Sequence, residues 1–237
     1  MTQRYIDFLA RLSIDNAHPG GHQLTKQLID AESLAKGAKL LDVGCGTGAT
    51  AKFLAEEKKV DVTAIDLHPQ MIALATAREK QAKERFTVVR GSAEQLPFPD
   101  QSYDWLLSES VTAFTHIDCS LAEYCRVLRK EGILLAIEMT IDYQLPDKDA
   151  QAICKLYGVS GLYTEKDWLS HLQKAGFSQV RALQPSVFKA TAAVAQGPDY
   201  QINGTLDPET IEVWLDHMAM MQTYHDVLSY RVYRAVK

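Results

Sequence analysis

No stretch of this chain approaches the ~20 consecutive apolar residues of a membrane-crossing helix. The opening residues, Met1-Thr2-Gln3-Arg4-Tyr5-Ile6-Asp7, lack the apolar centre of a secretory leader. A cytoplasmic location is therefore expected, with no membrane partner. Cysteine is scarce and scattered: Cys45, Cys119, Cys125 and Cys154 form no C-x-x-C pair. That gives no support to zinc-ribbon or thioredoxin readings, and no metal is expected. A disulfide framework does not suit a chain of this size with a cytosolic look. Basic charge is also short. Twenty-five Lys and Arg face 30 Asp and Glu, a formal net charge of -5. Nucleic-acid binding usually needs a basic stripe that neutralises phosphates, so nucleic acid is not an expected partner. Internal repeats and low-complexity tracts are missing too.

What is present fits one α/β domain with a sizeable core, in 237 residues that are 46% hydrophobic. Tyr5, Phe8, Leu9 and Leu12 stand at i, i+3, i+4 and i+7, one face of a helix. Ala17-His18-Pro19-Gly20-Gly21-His22 breaks it. Leu24, Leu28, Ile29 and Leu34 mark a second helix, ended by Gly37. This opening segment is either a flap over a ligand or simply a helix pair covering a sheet. From residue 39 the pattern alternates. Strands are expected at 39–43, 60–65, 86–90, 103–108 and 132–139, and helices at 49–58, 69–84 and 119–129. That rhythm predicts βαβ units and a parallel sheet. Helices at 147–156 and 164–175 follow, then a strand at 179–183. Residues 185–206, with Pro185, Gly197, Pro198 and Gly204, fit neither pattern. Asp207-Pro208-Glu209 is a helix start, an N-cap acid with Pro at the first position, and the helix runs to about residue 225. Residues 228–236 alternate apolar and polar and read as an edge strand.

The stretch Lys39-Leu40-Leu41-Asp42-Val43-Gly44-Cys45-Gly46-Thr47-Gly48 organises the rest. A buried strand ends in glycines, where the backbone needs positive φ and a ligand needs close approach. The helix that follows offers free N–H groups at its start. The dinucleotide fingerprint is G-x-G-x-x-G. Here the glycines alternate, and the third fingerprint position falls on Ala49, a permitted variant. The spacing leans away from a dinucleotide without closing that reading. Asp66 closes the next strand, where a carboxylate can accept two hydrogen bonds from a ribose.

Leu40-Leu41-Asp42-Val43-Gly44-Cys45-Gly46-Thr47-Gly48 resembles the first motif of class I S-adenosylmethionine-dependent methyltransferases. Val62-Thr63-Ala64-Ile65-Asp66 with Met71 resembles their second motif. Gly91-Ser92-Ala93-Glu94-Gln95-Leu96-Pro97-Phe98 with Ser102-Tyr103-Asp104 resembles the third. The segment from Glu123 to Leu134 resembles the region before the fifth strand. The likeness covers residues 38–140 and is closest to methyltransferase type 11, the subgroup of the ubiquinone and menaquinone C-methyltransferases.

The resemblance implies a doubly wound, Rossmann-like α/β fold. Its seven strands would run 3-2-1-4-5-7-6, with the last antiparallel. It implies one domain over 1–237, comprising a helical flap at 1–36, a cofactor-binding core at 38–140, and substrate-side helices and last strands at 141–237. It implies S-adenosyl-L-methionine as cofactor, with S-adenosyl-L-homocysteine as product. Gly44, Cys45 and Gly46 would form the turn at its methionine and ribose, and Asp42 would orient its ammonium group. Asp66 would take the ribose hydroxyls, and Leu67 and Met71 would flank the adenine. Ser92 and Ala93 would meet the adenine edge, with Glu94 within reach. Ser92 departs from the Asp often found in the family. Glu109 and Ser110 would line the methionine and acceptor side.

Methyl transfer is an in-line displacement in which a base is needed only if the acceptor keeps its proton. His116 is the candidate base, although a surface-loop position is the simpler reading for it. His18 and His22 flank the flap turn. Tyr143, Tyr157 and Tyr163 lie where acceptor determinants would sit, and Trp214, Leu215, Met218 and Met221 read as a buried helix stripe. The expected activity is methylation of a small molecule by a monomer or homodimer. A tRNA or protein methyltransferase, a non-catalytic S-adenosylmethionine binder and a nicotinamide dehydrogenase are the alternatives.

Overall fold

The computed structural model describes residues 4–183 and 207–237, and the stretch 185–206, which fitted neither pattern in the sequence, lies outside the described residues. Strand β1 (Lys39–Val43) is an apolar run because neighbours cover both its faces; four of its five residues are buried. It pairs in parallel with β2 (Asp61–Asp66) on one side and β4 (Tyr103–Glu109) on the other. Strand β3 (Thr87–Arg90) extends the sheet beyond β2, and β5 (Leu128–Ile141) extends it beyond β4. Strand β7 (Leu228–Val236) runs antiparallel to β5, and β6 (Ser178–Leu183) antiparallel to β7. The sheet order is therefore β3-β2-β1-β4-β5-β7-β6, a doubly wound, Rossmann-like α/β fold.

Helices α1 (Arg4–Arg11) and α2 (Gly21–Ala31) precede the sheet. Helix α3 (Ala49–Phe53) widens into a π turn at Leu54–Lys58. Helices α4 (Pro69–Gln81), α5 (Ile117–Val127), α6 (Asp147–Tyr157), α7 (Glu165–Lys174) and α8 (Pro208–Thr223) complete the layers. Helix α7 opens with a full capping box, Thr164 against Asp167, and Asp207 caps α8 through the Thr210 N–H at 2.8 Å. One face of the sheet buries Leu106, Leu121, Tyr124, Trp168 and Tyr233; the other buries Leu40, Phe53, Leu107 and Leu135. Among the described residues no helix is long and apolar enough to cross a membrane.

Several expectations need correction. Helix α2 ends at Ala31 with Glu32 already extended, and Gly37 belongs to a later turn rather than to a cap. Helix α5 stops at Val127 because Leu128 is fully buried and extended as the first residue of β5. Strand β7 is not an edge. Its alternation reflects two covered faces, with Tyr233 packed on Trp168 and Val232 packed on Leu24 and Leu28. The α8 stripe is not one buried face either. Leu215 and Met218 are exposed, while Trp214 packs beside Phe8 and Leu12 of the opening segment.

Candidate functional site

Parallel pairing brings the carboxyl ends of β1, β2 and β4 to one edge, with Val43 level with Ile65 and with Ser108. The residues that follow those strands therefore meet. Gly44, Gly46 and Gly48 all take positive φ, at +68°, +53° and +77°. Their reasons differ. A Cβ on Gly44 would stand 2.2 Å from Val111 Cγ2, and one on Gly48 3.1 Å from Ala75 Cβ, so these two serve packing. A Cβ on Gly46 would meet nothing within 4 Å among the described residues, so that position leaves a cradle open to a ligand.

Carboxylates surround this turn. Asp66 accepts from the Gly46 N–H at 2.9 Å and from the His68 N–H at 2.8 Å, which fixes both of its oxygens. Burial raises its pKa against the pull of those two bonds. Asp42 is buried, and its Oδ2 has no hydrogen-bond partner among the described residues. Burial holds its pKa well above the ordinary range, with the charges of Glu109 and Asp66 adding to the effect. Glu109 accepts from Thr25 at 2.5 Å and from Thr50 at 2.9 Å, while His18 Nε2 stands 3.5 Å away. The next residue, Ser110, has φ +58° and a buried hydroxyl without a partner among the described residues. Glu138 of β5 holds the following turn by accepting from the Thr112 and Ala113 N–H groups at 3.1 and 3.3 Å.

The opening segment is bonded over the turn. Arg78 of α4 donates two bonds of 2.9 Å to Asp15, and it reaches Thr47 at 2.8 Å. Thr47 also donates to Asp15. Gln70 donates to the Ala10 carbonyl at 2.8 Å, and the His68 ring lies 3.1 Å from Asp7.

All twelve cofactor candidates line one cavity of about 1240 Å³: Asp42, Gly44, Cys45, Gly46, Asp66, Leu67, Met71, Ser92, Ala93, Glu94, Glu109 and Ser110. Within it, Ser92 Oγ accepts from the Glu94 N–H at 3.1 Å. The Glu94 carboxylate accepts from the His116 N–H at 3.0 Å. The Cys45 thiol pKa is raised by burial, as befits a small packed side chain rather than a nucleophile.

The other candidates separate. His116 is exposed at the start of α5 and does not line the cavity. His18 lines it, whereas His22 sits edge-on against Phe53 outside it. Of the three tyrosines only Tyr157 lines the cavity; Tyr143 is exposed and Tyr163 packs on Trp168. His217 and Tyr5 also line it. The sequence gives no signal for His217, which sits inside an apolar helical pattern.

A family model described as "Methyltransferase domain" matches residues 41–136. An uncharacterized methyltransferase of Bacillus subtilis, YodH, is 29% identical over 234 residues, covering 99% of each chain. An uncharacterized protein of Haemophilus influenzae is 33% identical over 184 residues, 73% of this chain and 72% of its own length. Phosphoethanolamine N-methyltransferase 2 of Haemonchus contortus, solved in complex with S-adenosyl-L-methionine, shares the fold. Its TM-score is 0.79 at 20% identity, over 100% of this chain and 57% of that one. The matched span runs from β1 into β5, the strands that carry Asp42, Asp66 and Glu109, and the chain belongs to the class I S-adenosylmethionine-dependent methyltransferases.

Proposed function

We propose that this methyltransferase acts on a small molecule. The cofactor would lie along the glycine turn, and the acceptor against α1, α6 and α8. Cavity size carries the reading. A drug-sized ligand fills ~300–1,000 Å³. The cavity, at about 1240 Å³, has room for the cofactor and a small acceptor together. The net charge of -5 offers no general attraction for a nucleic acid, which weighs against a tRNA substrate.

The residues present fit the cofactor. The unpartnered Oδ2 of Asp42 suits an ammonium group, and the open cradle at Gly46 suits the methionine portion. Asp66, with each oxygen already fixed by one N–H, keeps lone pairs for two ribose hydroxyls. Leu67, exposed at 52%, and Met71 offer apolar contact to the adenine, with Ser92, Ala93 and Glu94 at its edge. Glu109 and Ser110 stand between the two halves. The cofactor supplies a methyl group on a positively charged sulfur, which leaves readily. The chain's work is then to hold donor and acceptor in line and to exclude water. The Asp15–Arg78–Thr47 network serves that work by fixing the opening segment over the turn as a flap.

Calorimetry with S-adenosylmethionine and S-adenosylhomocysteine tests the cofactor half, and transfer of labelled methyl into a metabolite extract tests the acceptor half. Binding of both compounds and a labelled small product are expected. Failure of either compound to bind at roughly hundreds of micromolar, an affinity of ~5 kcal/mol, would overturn the cofactor assignment. Label found only in RNA or protein would overturn the acceptor class.

A further inference from the structure

Four rings from four elements meet in the acceptor half of the cavity. They are Tyr5 of α1, Phe114 of the 3-10 turn Thr112–Phe114, Tyr157 of α6 and His217 of α8. Tyr5 stacks on Phe114 with centroids 6.3 Å apart, meets Tyr157 edge-on at 4.9 Å and lies 5.3 Å from the His217 ring. The Tyr157 hydroxyl is 3.0 Å from His217 Nδ1. Nδ1 is thereby committed. If it donates its hydrogen to the tyrosine oxygen, Nε2 keeps a lone pair. Burial lowers the pKa of His217, so the ring is neutral near pH 7 and has room for a proton.

Of the charged groups nearby, Asp216, the preceding residue, is exposed, and the others have partners. Arg4 pairs with Glu209 and Glu212 along the seam of α1 and α8, and Asp149 of α6 accepts from the Tyr224 hydroxyl. None of them bonds to the His217 ring. Cations for an anionic acceptor are committed as well. Arg231 lines the cavity but pairs with Asp142 and Glu165. Arg90 lies at the other end, its Nε donating to the Leu67 carbonyl at 3.3 Å, and among the described residues no lysine lines the cavity. A phosphate or carboxylate would enter this half without an uncommitted Arg or Lys among the described residues, which is costly away from water. Ile6, Leu9, Met139 and Met221 add apolar surface to this half, with Thr115 and Ser229 as uncharged polar groups at its margin.

We propose that His217 is the proton acceptor for methyl transfer to an apolar molecule bearing a weakly acidic hydroxyl, a phenol in its simplest form, with Tyr157 positioning the imidazole. The proposal rests on the division of the cavity given above. As the acceptor oxygen forms its bond to the methyl carbon, its O–H bond breaks and the proton passes to His217 Nε2. The S–CH3 electron pair stays on sulfur, leaving neutral S-adenosylhomocysteine. His217 ends as an imidazolium and returns its proton to solvent. A phenol needs such a base because its pKa is ~10, whereas a carboxylic acid is already ionised.

The full chain is tested with four probes: 4-butylphenol, butylamine, dodecanoate and phosphoethanolamine. With S-adenosylmethionine, turnover of 4-butylphenol is expected. H217Q should lower kcat ~100-fold or more while leaving S-adenosylhomocysteine affinity unchanged. It should also abolish the acid limb of the kcat/KM profile, and its residual rate should rise toward pH 10 as the phenol ionises unaided. Y157F should shift that limb and cost less. Independently of turnover, 4-butylphenol added to the S-adenosylhomocysteine complex should move the His217 ring resonance. H217Q with an intact rate and acid limb would overturn the proposal. So would turnover of another probe in place of the phenol, or neither turnover nor a resonance shift with the phenol. Failure of wild type to bind S-adenosylhomocysteine would instead strike the cofactor assignment, so the two failures are distinguishable.

Discussion

Gly44 and Gly46 share a left-handed backbone, yet alanine at the two sites should fail in different ways. Alanine in that region costs ~1–2 kcal/mol. It recovers ~0.4–1 kcal/mol by restricting the unfolded chain. At Gly46 none of the described residues stands within 4 Å of the new methyl, so the net cost to the ligand-free protein is ~1 kcal/mol. At Gly44 the methyl would lie 2.2 Å and 2.9 Å from the two γ carbons of Val111. Displacing that side chain adds ~1–3 kcal/mol of overpacking, for a total of ~2–4. In a chain of this size 1 kcal/mol moves Tm by ~2–4 °C. G44A should therefore lose at least twice the Tm that G46A loses in the ligand-free protein. Cofactor affinity should rank the other way. The G46A methyl occupies the cradle, and S-adenosylhomocysteine should bind at least ~10-fold more weakly, a loss of ~1.4 kcal/mol. Thermal melts and calorimetry on the same preparations read both quantities. Equal melting losses, or unchanged binding by G46A, would refute the assignment of one glycine to packing and the other to the ligand.

Burial raises the Glu138 pKa to about 7, against an ordinary value of 4.5, despite the hydrogen bonds from Thr112, Ala113 and Ser108. The folded chain thus holds this proton more tightly than the unfolded one. The resulting stability is complete below about pH 4.5 and is lost as pH rises through about 7, ~3 kcal/mol in all. In urea unfolding at pH 5 and pH 8, the difference between wild type and E138Q should shrink by ~2.5 kcal/mol at the higher pH, because pH 5 already lies inside that window; a difference independent of pH would count against it. D15A removes the acceptor of two Arg78 bonds, each charge-assisted, and should cost ~2 kcal/mol. It should also speed protease cleavage between residues 12 and 22, and a wild-type cleavage rate would show that the opening segment is held elsewhere.

The strands and the glycine turn were legible because their causes are local. A run such as Leu40 to Val43 must be buried on both faces wherever it sits, and positive φ at Gly44 to Gly48 restricts residue type directly. Asp66 was legible for a similar reason, since it directly ends a strand. Arg78 and Asp15 were not, because each is unremarkable in its own neighbourhood and their meeting depends on the packing of α4 against the opening segment. His217 has the same history. Its hydrogen bond comes from a helix 60 positions earlier in the chain. The misreading of 228–236 has a related cause. Alternation reports two unlike faces, and the face met by α2 and the face met by α7 are unlike even inside a sheet.

Strand β7 comes after every other strand in the chain but lies between β5 and β6. During synthesis β5 therefore waits with one edge bare, and β6 has no sheet partner at all, until residues 228–236 emerge. The half of the sheet that carries Asp42, Asp66 and Glu109 is under no such delay, because β1 to β4 are complete by residue 109. The nascent chain would thus acquire the half that holds the glycine turn first. The wall formed by Leu228 to Val232 would come last, and the unpaired edge of β5 would be the point of greatest exposure to aggregation in the interval.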